Sequence, residues 1–361
     1  MTRKIRPYTL LYEEIITKEG LCSGCGACVL ICPFNKLSYN YKVSLPEQVG
    51  EEKSKCPISE QGKCGLCVEV CPRLNREVNE SLLTSPVELP EEIYISQSKD
   101  EKTQEASQSG GVVTELLRNS LKSGIVDAIL AYGRDEKWRV YSKIIKDETQ
   151  LCNVAGSKYS YTPLIDGLKK MYENFKGTGM QFAIVGLPCH LEGIAHLKRL
   201  NSKYTKNLRI SIGLFCTQSF SYEKLIKSKF KNEMNIPLES IRKMIVSRGE
   251  FILVLDNKEL IKFPLKEIKE RGHAGCFGCI DFSSELADIS CGNLGSQHNT
   301  IVVCRTATGN TLYNSTLKAD SIKVVDDALI ENDLESIRKL SIFKRKRAIN
   351  TVTKIKQKTL I

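Results

Sequence analysis

FAIVGLPCHLEGIAHLKRLNSKYTKNLRISIGLFC, residues 182–216, sets two short apolar runs on either side of a stretch with helical apolar spacing. Strand, helix, strand in that order favours parallel pairing and an α/β domain. Both runs end in a cysteine, Cys189 and Cys216. As parallel strands they would bring the two thiols out together at the carboxyl edge of the sheet, where open α/β sheets place their ligands. Further on, GHAGCFGCIDFSSELADISCGNLG (272–295) carries a CxxC pair, Cys276 and Cys279, that would complete a four-thiolate site. A single buried cysteine is usually just a small core residue. Two at strand ends together with a CxxC point to metal ligation. Zinc is an alternative occupant, with His273 three residues before Cys276, and Cys291 is an alternative fourth ligand. Cys152, Cys304 and, in its plain reading, Cys291 are core thiols.

Outward from this unit the same texture continues. SGGVVTELLRNSLKSG (109–124) reads as a helix opened by glycines and closed at Gly124. VDAILAYG (126–133) and WRVYSKII (138–145) read as strands, and TPLIDGLKKMYENF as a helix starting at Thr162-Pro163. FILVL-DNKE-LIKF (251–263) reads as a β-hairpin. The Ser109-Gly110-Gly111 turn at a helix start would offer backbone N–H groups to a phosphate, although such a turn is more often a simple N-cap. GSKYSYTP (156–163) is a second loop of small and hydroxyl residues, in which Lys158 would stabilise negative charge; its plain reading is a surface turn. Neither GxGxxG nor GxxxxGK[ST] occurs, so nicotinamide or ATP binding is not indicated.

Upstream stands CSGCGACVLICP (22–33). Cys22-x2-Cys25-x2-Cys28-x3-Cys32-Pro33 has the spacing of a bacterial ferredoxin, in which the cysteine before proline serves the other of two 4Fe–4S clusters. The second half, Cys64-x2-Cys67-x3-Cys71-Pro72, has Gln61 where its first cysteine belongs, so Cys56 is expected to substitute. This assigns Cys22, Cys25, Cys28 and Cys71 to one cluster and Cys32, Cys56, Cys64 and Cys67 to the other. A pair of zinc sites is the alternative. The chain divides accordingly into a two-cluster ferredoxin-type domain (1–80), an acidic, proline-containing linker (81–92), an α/β domain (93–320) and a basic helical C-terminal tail (321–361). The expected fold is an α+β ferredoxin-like iron–sulfur domain followed by an α/β flavin-binding domain with a mostly parallel sheet and a β-hairpin.

Composition agrees. Fifteen cysteines, an odd number mostly in CxxC clusters, argue for metal ligation in a reducing cytosol rather than a disulfide framework. The first twenty residues lack the apolar region of a signal peptide, and no apolar run reaches membrane-span length, so the expected location is cytoplasmic. The net charge of +11 is concentrated in residues 338–361, with nine Lys or Arg and no acid. That tail reads as a docking element for an acidic partner or a membrane surface, or as a solvated helix face. No nucleic-acid partner is expected.

Taken in order, SQSGGVVTELL (107–117), GSKYSY (156–161), VGLPCHLEGI (185–194), IGLFC (212–216) and CFGCIDFSSELADIS (276–290) resemble the family of beta subunits of coenzyme F420 hydrogenases and dehydrogenases, over roughly 93–310. The two-cluster domain ahead of them resembles the electron-input subunit of archaeal F420-oxidising respiratory complexes. The resemblance implies FAD lined by Ser109, Gly110, Gly111, Ser157, Lys158 and Tyr159, and a third 4Fe–4S cluster on Cys189, Cys216, Cys276 and Cys279. It also implies coenzyme F420 as substrate, with a ferredoxin or other redox subunits of a larger complex as partners. His190 replaces the glutamine frequent in relatives, and Cys291-Gly-Asn replaces the usual Val-Gly-Asp. The implied activity is an oxidoreductase exchanging a hydride between coenzyme F420 and FAD and passing single electrons through the clusters. No catalytic acid or base is expected. Lys258, Lys262, Lys266, Lys269 and Arg271 would meet the anionic tail of the coenzyme. The alternatives are a ferredoxin-dependent reductase of another substrate, similar to tetrapyrrole reductases, or a non-catalytic electron-transfer subunit.

Overall fold

The structure is a computed structural model that describes residues 21–359, apart from 51–55, 57, 59, 60, 62, 76, 77, 86, 88, 91, 295–297 and 326–329, together with Leu11 and Ile15. The cysteine-rich segment forms α1 (Ala27–Ile31), the antiparallel pair β1 (Leu37–Asn40) and β2 (Leu45–Gln48), α2 (Leu66–Glu69) and α3 (Ser81–Thr84). Next come β3 (Ile93–Ser98), α4 (Glu101–Ala106), α5 (Val112–Lys122), β4 (Ala128–Arg134), β5 (Val140–Ile145) and α6 (Ile165–Phe175). They are followed by β6 (Phe182–Gly186), α7 (Pro188–Arg199), β7 (Leu208–Leu214), β8 (Ile241–Ser247), β9 (Glu250–Leu255), β10 (Leu260–Pro264) and α8 (Leu265–Ile268). The chain closes with β11 (Ile289–Gly292), β12 (Thr300–Cys304), α9 (Ala307–Lys318), β13 (Ile322–Val324) and α10 (Ile330–Thr359).

Eight strands form one sheet in the order β13-β3-β12-β11-β7-β6-β4-β5. Its four central strands, β11, β7, β6 and β4, are mutually parallel, and both flanks are antiparallel. The sheet is thus mixed, with the expected parallel part at its centre. Every residue of β6 is buried, as a strand covered on both faces requires. The side-chain period of two sorts neighbours onto opposite faces. Ile129, Ala131, Ala183 and Val185 pack with Val112 and Leu116 of α5 and Leu312 of α9. Ala128, Leu130, Phe182 and Ile184 pack with Ile165 and Leu168 of α6 and Leu191 and Ile194 of α7.

The cysteine-rich segment shares that second core: Ala27, Val29 and Leu30 of α1 belong to the same buried cluster as Ile165 and Leu191. The approach is close. A Cβ at Gly26, which has φ +77°, would lie 2.2 Å from Ile165 Cγ1. A second sheet, β10-β9-β8, contains the expected hairpin and has its own core around Phe230, Phe251 and Trp138. β5 starts at Val140 rather than Trp138, because Trp138 adopts φ +61° and its indole N–H donates to Ile241 O at 3.1 Å in that second core. Among the described residues, no helix is long and apolar enough to cross a membrane.

Candidate functional site

β6 and β7 lie side by side and parallel, and the chain leaves both at the same edge. Cys189 sits in the first turn of α7, which opens at Pro188, earlier than the apolar spacing suggested. His190 Nδ1 accepts the Leu187 N–H at 3.3 Å, tying down the helix start. Cys216 lies two residues past β7, and its N–H donates to Phe282 O at 2.9 Å. The CxxC loop reaches the same place: Ser219 N–H points at Cys276 Sγ at 3.4 Å, and Cys279 is 5 % exposed. Cys189, Cys216, Cys276 and Cys279 line one cavity together with Ser23, Arg73, Tyr161 and Lys344. Cys291 does not join them. It is buried within the sheet among Ile289, Val302 and Cys304, whereas Cys216 lines the cavity. His273 is also absent from the cavity wall; it stacks on Tyr161 at 4.3 Å, with Nε2 3.3 Å from Ser44 O.

The N-terminal thiols lie in two groups. Cys22, Cys25, Cys28 and Cys71 line a second cavity, with Arg73 and Ser23 again in its wall. The Cys67 thiol lies close enough to Cys64, Cys32 and Cys56 to be raised by all three. Gln61 is exposed.

Electrostatics fit these groups for anionic occupants. Burial pushes the thiols of Cys22, Cys67 and Cys216 up to about 12 and Cys71 to about 11, and drives Cys189 and Cys28 well above the ordinary thiol range. Buried thiolates therefore need countercharge, and the chain supplies cations. Burial alone would lower Lys344, but the thiols of Cys279 and Cys216 and the Asp281 carboxylate more than offset it. Its ammonium donates to Cys216 O and Asp281 O, both at 2.5 Å. One turn on, Arg347 donates to Thr217 O at 2.7 Å and Cys276 O at 2.9 Å. The basic run of α10 is thus not simply a tail. Lys344 and Arg345 are buried, and Arg345 donates to Leu82 O and Ser85 O beside α3, in the stretch read as linker. Arg338, Lys339, Lys346 and Lys354 of the same run are exposed; the side chains of Lys356 and Lys358 lie outside the described residues. The charge of this run was visible in sequence, whereas its partly inward placement was not.

Among the described residues, no group of three or more His, Cys, Asp or Glu converges tightly enough for a single metal ion. The thiols surround cavities instead.

The two loops expected to line a flavin meet each other. Ser157 N–H points at Gln108 Oε1 at 3.4 Å, and a Cβ at Gly156 would lie 3.2 Å from Ala106 O. Gly110 serves packing: a Cβ there would come within 2.7 Å of His298 O and 2.9 Å of Ser96 O. Gly111 opens α5 with φ +79°, and Ser109 Oγ is 3.2 Å from Thr300 Oγ1. Tyr159 hydroxyl accepts from Val246 N at 3.2 Å. Lys158 is folded onto its own loop, donating to Val154 O, Ala155 O and Gly156 O. Burial lowers its pKa to about 7, Arg134 adds to the effect, and it forms no ion pair among the described residues. Arg134 is half-buried and has the carboxylates of Asp135 and Asp256 nearby. In the basic set 258–271, Lys258 sits exposed at the hairpin tip, but Arg271 is already paired with Glu233 at 2.9 Å.

Comparison with known proteins agrees with this layout. Residues 93–169 match the model for the N-terminal part of the coenzyme F420 hydrogenase/dehydrogenase beta subunit, 179–328 the model for its C-terminal part, and 15–35 a 4Fe–4S binding domain. The chain is 30% identical to a coenzyme F420-dependent sulfite reductase of Methanocaldococcus jannaschii, over 92% of this chain but only 50% of that longer protein. With one subunit of the F(420)H(2) dehydrogenase of Methanosarcina mazei it shares 24% identity, over 92% of this chain and 91% of that one. A chain of the F420-reducing [NiFe] hydrogenase complex from Methanosarcina barkeri superimposes with a TM-score of 0.67 at 25% identity, covering 73% of this chain and 91% of that one. The order of motifs, the doubly covered sheet and the thiols gathered at its edge all fall within the matched span: the chain belongs to the family of coenzyme F420 hydrogenase/dehydrogenase beta subunits, with a 4Fe–4S binding region ahead of the family domain.

Proposed function

We propose that this chain is an F420-dependent oxidoreductase subunit that holds FAD and three 4Fe–4S clusters and passes electrons between coenzyme F420 and a ferredoxin or partner redox subunit. The observation that carries the reading is the body cavity. Four thiols from three separated segments surround it, with Arg73 and Lys344 in the same wall. FAD, when bound, takes two electrons together from a deazaflavin and releases them one at a time to iron–sulfur clusters. In this proposal Cys189, Cys216, Cys276 and Cys279 hold the body cluster. Cys22, Cys25, Cys28 and Cys71 hold a second, and Cys32, Cys56, Cys64 and Cys67 a third. Ser109, Gly110, Gly111, Ser157, Lys158 and Tyr159 line the flavin, with Lys158 supplying the positive charge. Lys344 and Arg347 knit α10 to the backbone around the body cluster and keep water from it.

Anaerobic purification with iron, sulfide and flavin counts tests this. About twelve irons and about one FAD per chain are expected, since each cluster holds four irons. About eight irons would remove the body cluster, and a brown protein free of flavin would reduce the chain to an electron-transfer subunit. Fast oxidation of reduced coenzyme F420 with a viologen acceptor, and none of NADH, is the expected activity.

A further inference from the structure

Arg73 follows Cys71 by two residues and lines both the Cys22 cavity and the body cavity. Its side chain is 6% exposed. Nη1 lies 3.7 Å from the carboxylate of Glu192, which sits on α7 three residues after Cys189, and the side chain is also within reach of the Cys279 thiol. Among the described residues, Nε and Nη2 have no nitrogen or oxygen hydrogen-bond partner. α7 is the wall between the sites: Cys189 faces the body cavity, and a Cβ at Gly193 would lie 3.3 Å from Cys25 Sγ. The CxxC loop closes the same junction, since a Cβ at Gly275 would lie 2.0 Å from Cys22 O. Arginine stays charged even when buried, and its fork has donors to spare for anionic sulfur.

We propose that Arg73 is the shared countercharge of these two thiol sites, raising the reduction potentials of both clusters and coupling them as direct electron partners. The inference rests on the proposed body cluster. A cluster held by four thiolates is anionic, and each added electron deepens that charge in a low-dielectric interior. A fixed cation between two such groups favours the reduced form of each. When one electron crosses, one cluster is oxidised by one electron and the other reduced by one, and no proton need move. Arg73 is a positioning charge in this scheme, acting on the thiols of Cys22, Cys25 and Cys71 on one side and Cys189 and Cys279 on the other. The site of Cys32, Cys56, Cys64 and Cys67 takes no part in either cavity wall and serves as an internal reference.

The test is a redox titration followed by electron paramagnetic resonance on the anaerobically loaded full chain, comparing wild type with Arg73→Gln, Arg73→Lys and Glu192→Gln. Two of three midpoint potentials should fall together in Arg73→Gln and the third stay fixed. Arg73→Lys should show a smaller fall and Glu192→Gln a rise in the same two. Unmoved potentials in a fully loaded Arg73→Gln protein, with only a lower melting temperature, would make Arg73 a structural clamp and overturn the proposal. A shift in one cluster alone, or equally in all three, would do the same, as would loss of iron from both Arg73 variants. A wild-type count of about eight irons would instead defeat the body cluster itself, independently of the variants.

Discussion

The two kinds of thiol site are built on opposite plans. The N-terminal pair draws its thiols from residues 22–71, around α1 and α2. The body site takes Cys189 from a helix start, Cys216 from a strand exit, and Cys276 and Cys279 from a loop. It then borrows Arg73 from one end of the chain and Lys344 from the other. A site built locally depends on its own turns, and one built from distant segments depends on every contact that brings them together.

Removing one ligand at each plan should expose that difference most. Cys276→Ser should cost about four irons while leaving the N-terminal clusters, read by iron count and paramagnetic resonance. Cys22→Ser should remove a different cluster with the body signal retained; loss of the same signal in both variants would refute the grouping. Lys344→Met comes next. It leaves Cys216 O and Asp281 O without their buried donor, and a loss of about 3 kcal/mol is expected by denaturant titration. Gly275→Ala strikes the seam between the two plans, where the new methyl meets Cys22 O, for about 2 kcal/mol.

The smallest effect is that of pH. His190 and His273 are both buried, and burial lowers each to about 4 from an ordinary value near 6.5. Above about pH 6.5 both are neutral, folded or unfolded, and cost nothing. As pH falls below that, the unfolded chain takes up protons that the folded chain refuses, so stability drops until about pH 4. Between pH 7 and 6 the pair should cost about 1 kcal/mol, and His273→Gln should flatten that slope.

Much of this was legible beforehand. Cys22, Cys25 and Cys28 sit a few residues apart, as do Cys64 and Cys67, while Cys71 and Cys32 each precede a proline, the spacing that predicts a crossing to the other half. Strand β6, helix α7 and strand β7 were readable from apolar periodicity, and with them the shared edge of Cys189 and Cys216. Less legible was the start of α7: Pro188 continues an apolar run, so the helix's first turn looked like the end of a strand. Trp138 was misplaced because its apolar ring suits either core, and only its φ of +61° takes it out of β5.

By itself the amino-acid order determined the local frame: which thiols alternate between the two N-terminal sites, which runs become the parallel centre, and where a CxxC waits. Those features are written in residue spacing and apolar periodicity. Tertiary structure alone decided that Cys216 rather than Cys291 faces the CxxC, that Arg73 stands between two sites, and that Lys344 points inward. A charge carries no periodicity to say what it will face. Only the packing of α1 and α10 against the body gives a buried cation its partners, and with them its role.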